Sequence, residues 1–403
     1  AVSSICKKIF SKQPKNIVAV TGTNGKTSIT FYLQSIWKKA NINSATIGTL
    51  GLRYKKKVIS TKLTTPDPIF LYRNVDLLRS KNINYLALEA SSHGIKQNRI
   101  DALKINRGVF CNLSRDHLDY HKNLENYFIT KMRLFSEILD KKGIAIVNNS
   151  CEYGKKVEQY CKKNHIKVIT YGAYDSDWKI NNITTYKGYS KVKVIKSKKT
   201  FIFKSRLLFK YQIENLVCAM IIAHSYNLTL KSIIKFVEKI KAPPGRLEKL
   251  KVKNTNSYVY IDYAHTPLAL KKSLIELKNI IKNTGKLKVL FGCGGNRDQG
   301  KRILMGRYAA QLANEVYVTD DNPRYENPKK IREQIIKNCK KAITISNRKK
   351  AINLAINNLK DCDILLIAGK GHEKYQEVKG KRTYFDDKEI AEEAIKNLDK
   401  KCK

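Results

Sequence analysis

The sequence has no long apolar run. A membrane-spanning helix needs roughly 18 or more consecutive apolar residues, and the 403-residue chain contains no such stretch, so we predict no membrane contact. Residues 1–10 hold only a short apolar patch, broken by Lys7 and Lys8, which makes a poor signal peptide. With hydrophobic residues at 42%, the composition predicts a globular, cytoplasmic protein.

Regularly spaced cysteines are lacking too. The nine cysteines are scattered without a C-x-x-C pair, whereas disulfide frameworks and zinc ribbons both depend on regular spacing. We therefore predict reduced, buried thiols of the kind found in the cytosol.

Acidic residues are scarce. Lys and Arg number 79 against 34 Asp and Glu, which gives a formal net charge of +45. Such a charge can indicate nucleic-acid binding through phosphate neutralisation. However, Lys is spread almost evenly, with no basic tail or Arg-rich block, and it accompanies much Asn and Ile, which is typical of a genome-wide compositional bias. We predict no nucleic-acid partner, while the positive field favours anionic substrates.

Strand-like apolar runs alternate with helical stretches along most of the chain. The first such group is a strand at residues 17–20, a loop at 21–28 and a helix at 29–39. Alternation of this kind predicts an α/β fold with a parallel sheet covered on both faces. Further runs are predicted as a helix at 124–139 and as strands at 85–88, 109–111, 144–147, 258–261, 289–291, 316–319 and 364–368.

Two features divide the chain. Residues 178–209 change to β-type alternation, which predicts an antiparallel insertion. The cluster Ala242-Pro243-Pro244-Gly245 is typical of a hinge, and βα alternation restarts beyond it. We predict a first domain at residues 17–242 and a second at residues 243–403, with residues 1–16 as the remnant of an N-terminal region or a linker.

A glycine-rich loop lies between the first strand and helix. In this position, backbone N–H groups and a helix N-terminus face an anion, so Lys26 is predicted to reach the terminal phosphates of a nucleotide and Thr27 to ligate Mg²⁺. The eight-residue P-loop pattern has a glycine where Val20 stands, so this is a shortened variant. The predicted ATP contacts of the loop are Gly22, Thr23, Asn24, Gly25, Lys26 and Thr27.

Acidic and histidine side chains follow two other predicted strands. Glu89 comes at the carboxyl end of a strand, where α/β sheets place their ligands, and its carboxylate suits Mg²⁺. The segment from Asp116 and His117 to Asp119 and His121 follows the next strand. A single His is usually structural, but two His and two Asp so close together favour a functional site.

The segment VTGTNGKTS resembles the nucleotide loop of the Mur ligases and of their folylpolyglutamate synthetase relatives. The resemblance implies a central P-loop ATPase-like domain, a C-terminal Rossmann-like domain, and a reaction in which ATP phosphorylates a carboxylate and an amine attacks the acyl phosphate. It also implies that Lys131 is carbamylated to an anionic metal ligand, although composition alone makes it one of many surface lysines. The implied catalytic residues are Lys26, Glu89, His117 and Lys131, and the implied Mg²⁺ ligands are Thr27, Glu89, His117 and the Lys131 carbamate.

Further segments are similar to the substrate contacts of the diaminopimelate-adding Mur ligases. The resemblance implies UDP-N-acetylmuramoyl-L-alanyl-D-glutamate as the acceptor, bound by Thr64, Thr65, Ser91, Gln97 and Arg99. A polar loop with turn residues is the plainer interpretation of these positions. Family members also carry an N-terminal uridine-binding domain, which is expected to be absent because the phosphate loop begins at residue 22. Either the chain is a fragment, or uridine binding is lost or delegated.

The second domain carries the remaining matches. Arg246, Asp262 and His265 resemble ATP contacts, as does Asn215 in the first domain, although Gln212 replaces a second Asn that the family has. The run Asp320-Asp321-Asn322-Pro323-Arg324 resembles the family's selector for meso-diaminopimelate, which differs from lysine by a carboxylate that an Arg can hold bidentately. The implied diaminopimelate contacts are Arg297, Asp321, Asn322, Arg324, Gly369 and Glu373.

Other functions were weighed against this expectation. Folylpolyglutamate synthetase does not account for both the Asp116–Asp119 run and the Asn322–Arg324 run. A nucleic-acid-dependent NTPase leaves the latter unexplained, and a catalytically weakened remnant is favoured only by the missing uridine domain. A second glycine-rich loop at residues 292–298 lacks the G-x-G-x-x-G order, which excludes NAD binding. We expect a monomeric Mg²⁺- and ATP-dependent ligase of peptidoglycan precursor synthesis.

Overall fold

The computed structural model describes residues 2–172, 175–186, 188–253, 255–281 and 285–401. The chain forms two compact units. The first comprises Ala1–Ser114 with His121–Lys241, and the second comprises Arg115–Tyr120 with Ala242–Lys403.

The first unit contains eleven strands and most of the helices before residue 242. Its strands are β1 (Asn16–Thr21), β2 (Ser44–Gly48), β3 (Gly51–Tyr54), β4 (Lys57–Ile59), β5 (Tyr85–Glu89), β6 (Ile105–Phe110), β7 (Leu139–Asn148), β8 (Lys167–Gly172), β9 (Trp178–Tyr186), β10 (Tyr189–Lys196) and β11 (Lys199–Ser205). Its helices are α1 (Val2–Ile9), α2 (Lys26–Lys39), α3 (Pro68–Ser80), α4 (Ser92–Lys96), α6 (Leu124–Arg133), α7 (Glu152–Lys163), α8 (Lys210–Ser225) and α9 (Leu230–Val237). The short helix α5 (Leu118–His121) belongs to the second unit except for its last residue, His121.

One continuous sheet holds all eleven strands, in the order β11-β10-β9-β8-β7-β6-β1-β5-β2-β3-β4. The central strands pair in parallel, and β1 lies between β5 and β6. Parallel strands are buried on both faces, which explains why β1 and β5 are almost wholly apolar and buried. Because parallel strands end at a common edge, the residues that follow β1, β5 and β6 lie near one another.

The predicted antiparallel insertion extends the same sheet. β9, β10 and β11 pair antiparallel with one another, but β9 joins β8 in parallel through a short register, Tyr171 to Trp178 and Gly172 to Lys179. The antiparallel pairing was predicted correctly from the alternation. The sequence did not indicate that these strands continue the main sheet.

The second unit is a smaller α/β layer. Its strands are β12 (Arg246–Lys251), β13 (Tyr258–Asp262), β14 (Leu287–Phe291), β15 (Glu315–Val318), β16 (Ile343–Thr344), β17 (Ile364–Ala368), β18 (Tyr375–Val378) and β19 (Lys381–Tyr384). Its helices are α10 (Pro267–Ile281), α11 (Gly300–Leu312), α12 (Pro328–Ile336), α13 (Arg348–Asn357) and α14 (Asp387–Lys401). The six-stranded sheet has the order β12-β13-β17-β14-β15-β16, and only β12 runs antiparallel to its neighbour; β18 and β19 form a separate hairpin.

Three local features differ from the sequence expectations. The helix predicted at residues 124–139 ends as an α-helix at Arg133 and continues as a π-helical turn, Leu134–Ile138. Residues 2–9 form a helix whose Cys6 belongs to the first unit's hydrophobic core. Of the eight described cysteines, all are unpaired, but Cys151 and Cys362 are partly exposed rather than buried.

Among the described residues, no helix has the length and apolar character needed to cross a membrane.

Candidate active site

The phosphate loop connects β1 to α2. Gly25, which precedes the first helical residue, has a left-handed φ of 96°, and a Cβ there would lie 2.6 Å from Asn215 Oδ1. Gly25 has no side chain with which to cap helix α2, and a helix that begins directly after a glycine-rich turn is a typical anion-binding position. Lys26 Nζ donates to the carbonyls of Gly22, at 2.7 Å, and Thr23, at 2.9 Å. The loop is thus a cradle of backbone groups with a lysine across it.

Asn112, which sequence reasoning did not single out as a site residue, holds this loop in place. Its side-chain Oδ1 accepts from Asn24 N at 3.0 Å, and its Nδ2 donates to Asn24 O at 3.0 Å. Its backbone carbonyl accepts from Thr23 N at 3.0 Å. Because β6 runs beside β1, the residue after β6 reaches the loop after β1.

Glu89 lies at the end of β5, as predicted, and is 1% exposed. Its carboxylate accepts from Thr27 Oγ1 at 2.9 Å, from Thr49 N at 2.9 Å and from Thr49 Oγ1 at 3.0 Å. These three hydrogen bonds compensate the burial of a charge. Thr49 is a further residue that sequence reasoning missed.

The pair Thr27 and Glu89 fits a hard cation. Mg²⁺ is usually bound by one or two protein oxygens together with water and substrate phosphates, and here a hydroxyl and a carboxylate oxygen lie 2.9 Å apart beside the phosphate loop. In the part of the chain that the structure describes, no three His, Cys, Asp or Glu side chains form a group that could hold a metal ion. A metal at this place would be held by the Thr27 hydroxyl and the Glu89 carboxylate, together with oxygens of the nucleotide and water.

Lys131 lies in α6 and is 1% exposed. Its Nζ donates to the carbonyl of Gly22 at 3.1 Å and lies 4.4 Å from the centre of the Tyr127 ring. The residue is thus directed at the phosphate loop and is not one of the surface lysines that dominate the composition.

The predicted dipeptide contacts form one hydrogen-bonded group. Thr65 is fully buried, and its hydroxyl bonds the carbonyl of Glu89 at 2.7 Å and the hydroxyl of Ser91 at 2.9 Å. Arg99 donates to the carbonyl of Thr65 at 2.6 Å and to Gln97 Oε1 at 3.1 Å. Thr64 joins through its hydroxyl, 3.2 Å from that of Thr49. All five predicted residues therefore lie together beside Glu89.

In the second unit, Arg246, Asp262 and His265 gather around Tyr263. The Arg246 guanidinium lies 4.3 Å from the centre of the Tyr263 ring, and His265 Nδ1 lies 2.9 Å from the Tyr263 carbonyl oxygen. Asp262 is buried and accepts from Ser273 Oγ at 2.7 Å. Burial raises the pKa of Asp262, against the hydrogen bond from Ser273.

His117 and Asp116 belong to the second unit, whereas Thr27, Glu89 and Lys131 belong to the first. Its Nε2 is 3.4 Å from Asp116 Oδ2, and His265 Nε2 is 3.8 Å from the same oxygen. Burial would raise the pKa of Asp116, but the hydrogen bond with His265 and the charges of His117, His265 and Lys301 bring it well below its usual range. Asp116 is therefore the anionic centre of a two-histidine group.

The predicted diaminopimelate contacts surround a group of buried charges. Asn322 Nδ2 donates to Glu373 Oε2 at 3.0 Å, and Lys370 Nζ lies 3.9 Å from the same carboxylate. A Cβ at Gly369 would lie 2.6 Å from Asp321 Oδ2, so this close approach requires glycine. Burial would raise the pKa of Asp321, but the charge of Lys370, followed by those of Arg348 and Lys301, lowers it.

Arg324 connects this group to the second glycine-rich loop. Its φ is 52°, its Nη1 donates to the carbonyl of Gly295 at 2.8 Å, and its Nε lies 3.8 Å from Glu377 Oε2. Arg297, on the same loop, is exposed, and its Nη1 lies 3.5 Å from the carbonyl of Asn296. Five of the six predicted contacts are thus packed into one region, and Arg297 extends from its edge.

A fully buried arginine supports both loops. Arg302 donates to the two carboxylate oxygens of Glu326, at 2.8 Å and 3.0 Å, and to the carbonyl of Gly294 at 3.1 Å. Glu326 follows Arg324 by two positions. Sequence reasoning noted Arg302 only as part of a glycine-rich segment, because its partner is 24 residues away.

Comparisons with known proteins show the family to which the chain belongs. The Mur ligase middle domain matches residues 20–223, and the Mur ligase glutamate ligase domain matches residues 245–371. The UDP-N-acetylmuramoyl-L-alanyl-D-glutamate–2,6-diaminopimelate ligase of Rickettsia bellii is 43% identical over 390 residues, which span 95% of this chain and 81% of that protein. The ligase of the same name from Mesorhizobium japonicum is 36% identical over 396 residues, 98% of this chain and 81% of that protein.

Solved structures give the same result. A structure of a ligase that carries this name aligns with a TM-score of 0.68 at 33% identity, covering 98% of this chain and 81% of that one. MurF ligase from Thermotoga maritima, solved with ADP, aligns with a TM-score of 0.75 at 18% identity, covering 99% and 84%, which bears on the fold alone. The chain belongs to the Mur ligase family, and the predicted family and fold class are confirmed.

Proposed function

We propose that this chain is an ATP-dependent ligase that adds meso-diaminopimelate to UDP-N-acetylmuramoyl-L-alanyl-D-glutamate in peptidoglycan precursor synthesis. The observation that carries the proposal is the pairing of two sites on one chain. One is the phosphate loop with Thr27 hydrogen-bonded to Glu89. The other is the group of Asn322, Arg324 and Glu373, which offers both donors and a carboxylate to an amino acid. Relatives at 36–43% identity carry the name of this activity.

The first domain predicted from the sequence (residues 17–242) is the proposed ATP-binding domain. The side-chain carboxylate of D-glutamate attacks the γ-phosphorus of ATP, which releases ADP and leaves an acyl phosphate. Lys26 and the N–H groups of residues 22–27 hold the phosphates, and Asn215 lies against the same loop. Thr27, Glu89, His117 and a carbamylated Lys131 would hold Mg²⁺, which neutralises the anions that this step brings together.

The acceptor substrate binds beside Glu89. The hydroxyls of Thr64, Thr65 and Ser91 and the side chains of Gln97 and Arg99 suit a ligand that carries carboxylates and phosphates. Their hydrogen bonds to Glu89 and to one another keep the acceptor carboxylate near the proposed phosphoryl donor.

The second domain predicted from the sequence (residues 243–403) is the proposed amino-acid domain. The diaminopimelate amine attacks the acyl phosphate carbonyl, phosphate leaves, and the new amide forms with loss of a proton. Arg324 pairs with the distal carboxylate that lysine lacks, and Glu373 takes the distal ammonium. Arg246, Asp262 and His265 complete the nucleotide contacts. We propose that the enzyme acts as a cytoplasmic monomer, which sedimentation equilibrium of the purified chain can test.

The decisive experiment measures amide formation. Purified protein is incubated with ATP, Mg²⁺ and UDP-N-acetylmuramoyl-L-alanyl-D-glutamate, and either meso-diaminopimelate or L-lysine is added. We expect release of ADP and phosphate together with the tripeptide product, with diaminopimelate preferred. Equal use of lysine would refute the amino-acid assignment, and ATP hydrolysis stimulated by RNA or DNA without product would refute the ligase itself.

A further inference from the structure

We propose that Lys370 is a positioning residue for amino-acid selection, because it fixes which end of the Asn322 side-chain amide faces Glu373. The proposal rests on the proposed function, since it concerns the site assigned above to diaminopimelate. Lys370 lies two residues after the end of β17 and is fully buried.

Two donors meet the oxygen of the Asn322 side chain. Lys370 Nζ lies 3.0 Å from Asn322 Oδ1, and the backbone N of Glu377 lies 3.0 Å from the same atom. A lysine ammonium and a backbone N–H can only donate. The amide oxygen, and not the amide nitrogen, must therefore face these two donors.

The amide nitrogen is consequently directed at the acidic side of the site. Asn322 Nδ2 donates to Glu373 Oε2 at 3.0 Å. Asn322 thus presents N–H groups here and no acceptor, while the carboxylate of Glu373 presents acceptors. A carboxylate of the substrate can bind beside Asn322 and an ammonium beside Glu373, and the reverse arrangement would leave donors facing donors.

Lys370 also contributes charge. Its Nζ is 3.9 Å from Glu373 Oε2. Burial raises the pKa of Glu373, as does the neighbouring charge of Asp321, and the charge of Lys370 opposes both effects. Loss of the ammonium therefore removes one of the two donors that restrain Asn322 and also favours a protonated Glu373, which binds an ammonium poorly.

A second buried lysine in the same unit provides a matched control. Lys288, in β14, is 2% exposed and pairs with Asp363 at 3.2 Å and Glu315 at 3.1 Å. It also donates to the carbonyl of Asn358. Lys288→Met therefore removes a buried, paired ammonium as Lys370→Met does, but at a place with no proposed ligand contact. Both substitutions remove one partner of a buried ion pair and are expected to destabilise the fold to a similar degree, so the control separates a loss of stability from a loss of amino-acid selection.

The test compares the full chain with Lys370→Met, Lys370→Gln and Lys288→Met. We expect Lys370→Met to raise KM for diaminopimelate about 10- to 100-fold, the range of a lost charge-assisted hydrogen bond, and to reduce the preference over lysine, with KM for ATP unchanged. Lys370→Gln keeps an amide donor and is expected to retain part of the preference. Lys288→Met is expected to keep the wild-type KM values for diaminopimelate and ATP, even if its thermal unfolding midpoint is lowered.

Several results would overturn the role of Lys370. One is an unchanged preference in Lys370→Met; another is an equal shift in Lys288→Met, which would show a general effect of losing a buried lysine. Titration calorimetry of diaminopimelate binding covers the case in which turnover is absent. Tight binding by the wild type and weak binding by Lys370→Met support the role even then. Equal affinities refute the role alone, and no binding by the wild type refutes the proposed function as well.

Discussion

The two proposed sites are built in different ways. The phosphate loop of the first unit is one contiguous segment that uses backbone groups, and its geometry depends on Gly25 and on the start of α2. The amino-acid site of the second unit is assembled from three separate segments, after β14, β15 and β17, whose side chains are held by buried ion pairs. A backbone site tolerates changes in distant side chains, whereas an assembled site depends on each charge that compensates another.

The largest effect on activity is expected at Lys131, a buried side chain that contacts the phosphate loop from helix α6. Lys131→Ala should lower turnover about 10²- to 10³-fold, as the loss of a single preorganised electrostatic group does, because it removes the proposed carbamate. Short carboxylic acids should restore part of the activity. Steady-state kinetics with and without acetate checks this, with the exposed Lys141→Ala as the control; wild-type turnover in Lys131→Ala would contradict the proposed role.

The next largest effect is expected at Arg324 in the second unit, and it should be limited to the use of the amino acid. Arg324→Ala is expected to cost about 2–4 kcal/mol in kcat/KM for diaminopimelate, since it leaves a substrate carboxylate without its charged partner. ATP affinity should stay unchanged because Arg324 is not among the proposed nucleotide contacts. Calorimetric ATP titration beside the kinetic assay separates the two, and an equal loss of both would show that Arg324 does not act in amino-acid selection.

Gly25→Ala tests whether the first site depends on its backbone. The left-handed φ of 96° costs a residue with a Cβ about 1 kcal/mol, and that Cβ would also displace Asn215. We expect ATP affinity to fall about tenfold, a difference of ~1.4 kcal/mol. Gly188→Ala is the control, because its φ is 90° and, among the described residues, a Cβ there meets no atom within 4 Å. It should lose stability without losing ATP affinity; equal ATP affinities in both variants would show that strain at Gly25 does not matter.

The smallest effect concerns the ion pair that supports the second site. The hydrogen bond from Arg302 lowers the pKa of Glu326, against the effect of burial. The pair therefore stabilises the fold above the unfolded-state pKa of about 4.3, and this contribution is lost as pH falls through the lower folded-state pKa. Glu326→Gln should destabilise the protein by about 1–2 kcal/mol at neutral pH and progressively less near pH 3–4. Urea unfolding at both pH values measures this difference, and a constant difference would argue against an ionic contribution.

The same contrast explains what the sequence revealed. The alternation of strands and helices and the glycine-rich loop are contiguous patterns, so hydrophobic periodicity and one short motif were enough to predict a parallel sheet and a phosphate loop. The proposed diaminopimelate contacts could be predicted because Asn322 and Arg324 lie in one short run. By contrast, Lys370 meets Asn322 across 48 residues of sequence and Asn112 meets Asn24 across 88. Such roles arise only when strands are placed side by side, which no local pattern indicates.

Lys131 could not be distinguished by composition, but the fold distinguishes it. With 79 Lys and Arg in the chain, the sequence alone gave no reason to separate Lys131 from the surface lysines, and only a family resemblance did so. The structure separates it by burial at 1% exposure and by its contact with the Gly22 carbonyl. In a strongly basic chain, the lysines of interest are those removed from water.

The residue before helix α2 is Gly25, which has no side chain with which to cap the helix. A bound phosphate would take the place that a capping Ser, Thr or Asp holds at other helices, so nucleotide binding should stabilise the first turn of α2. Amide hydrogens of residues 26–28 should then exchange with solvent more slowly when nucleotide is present than when it is absent.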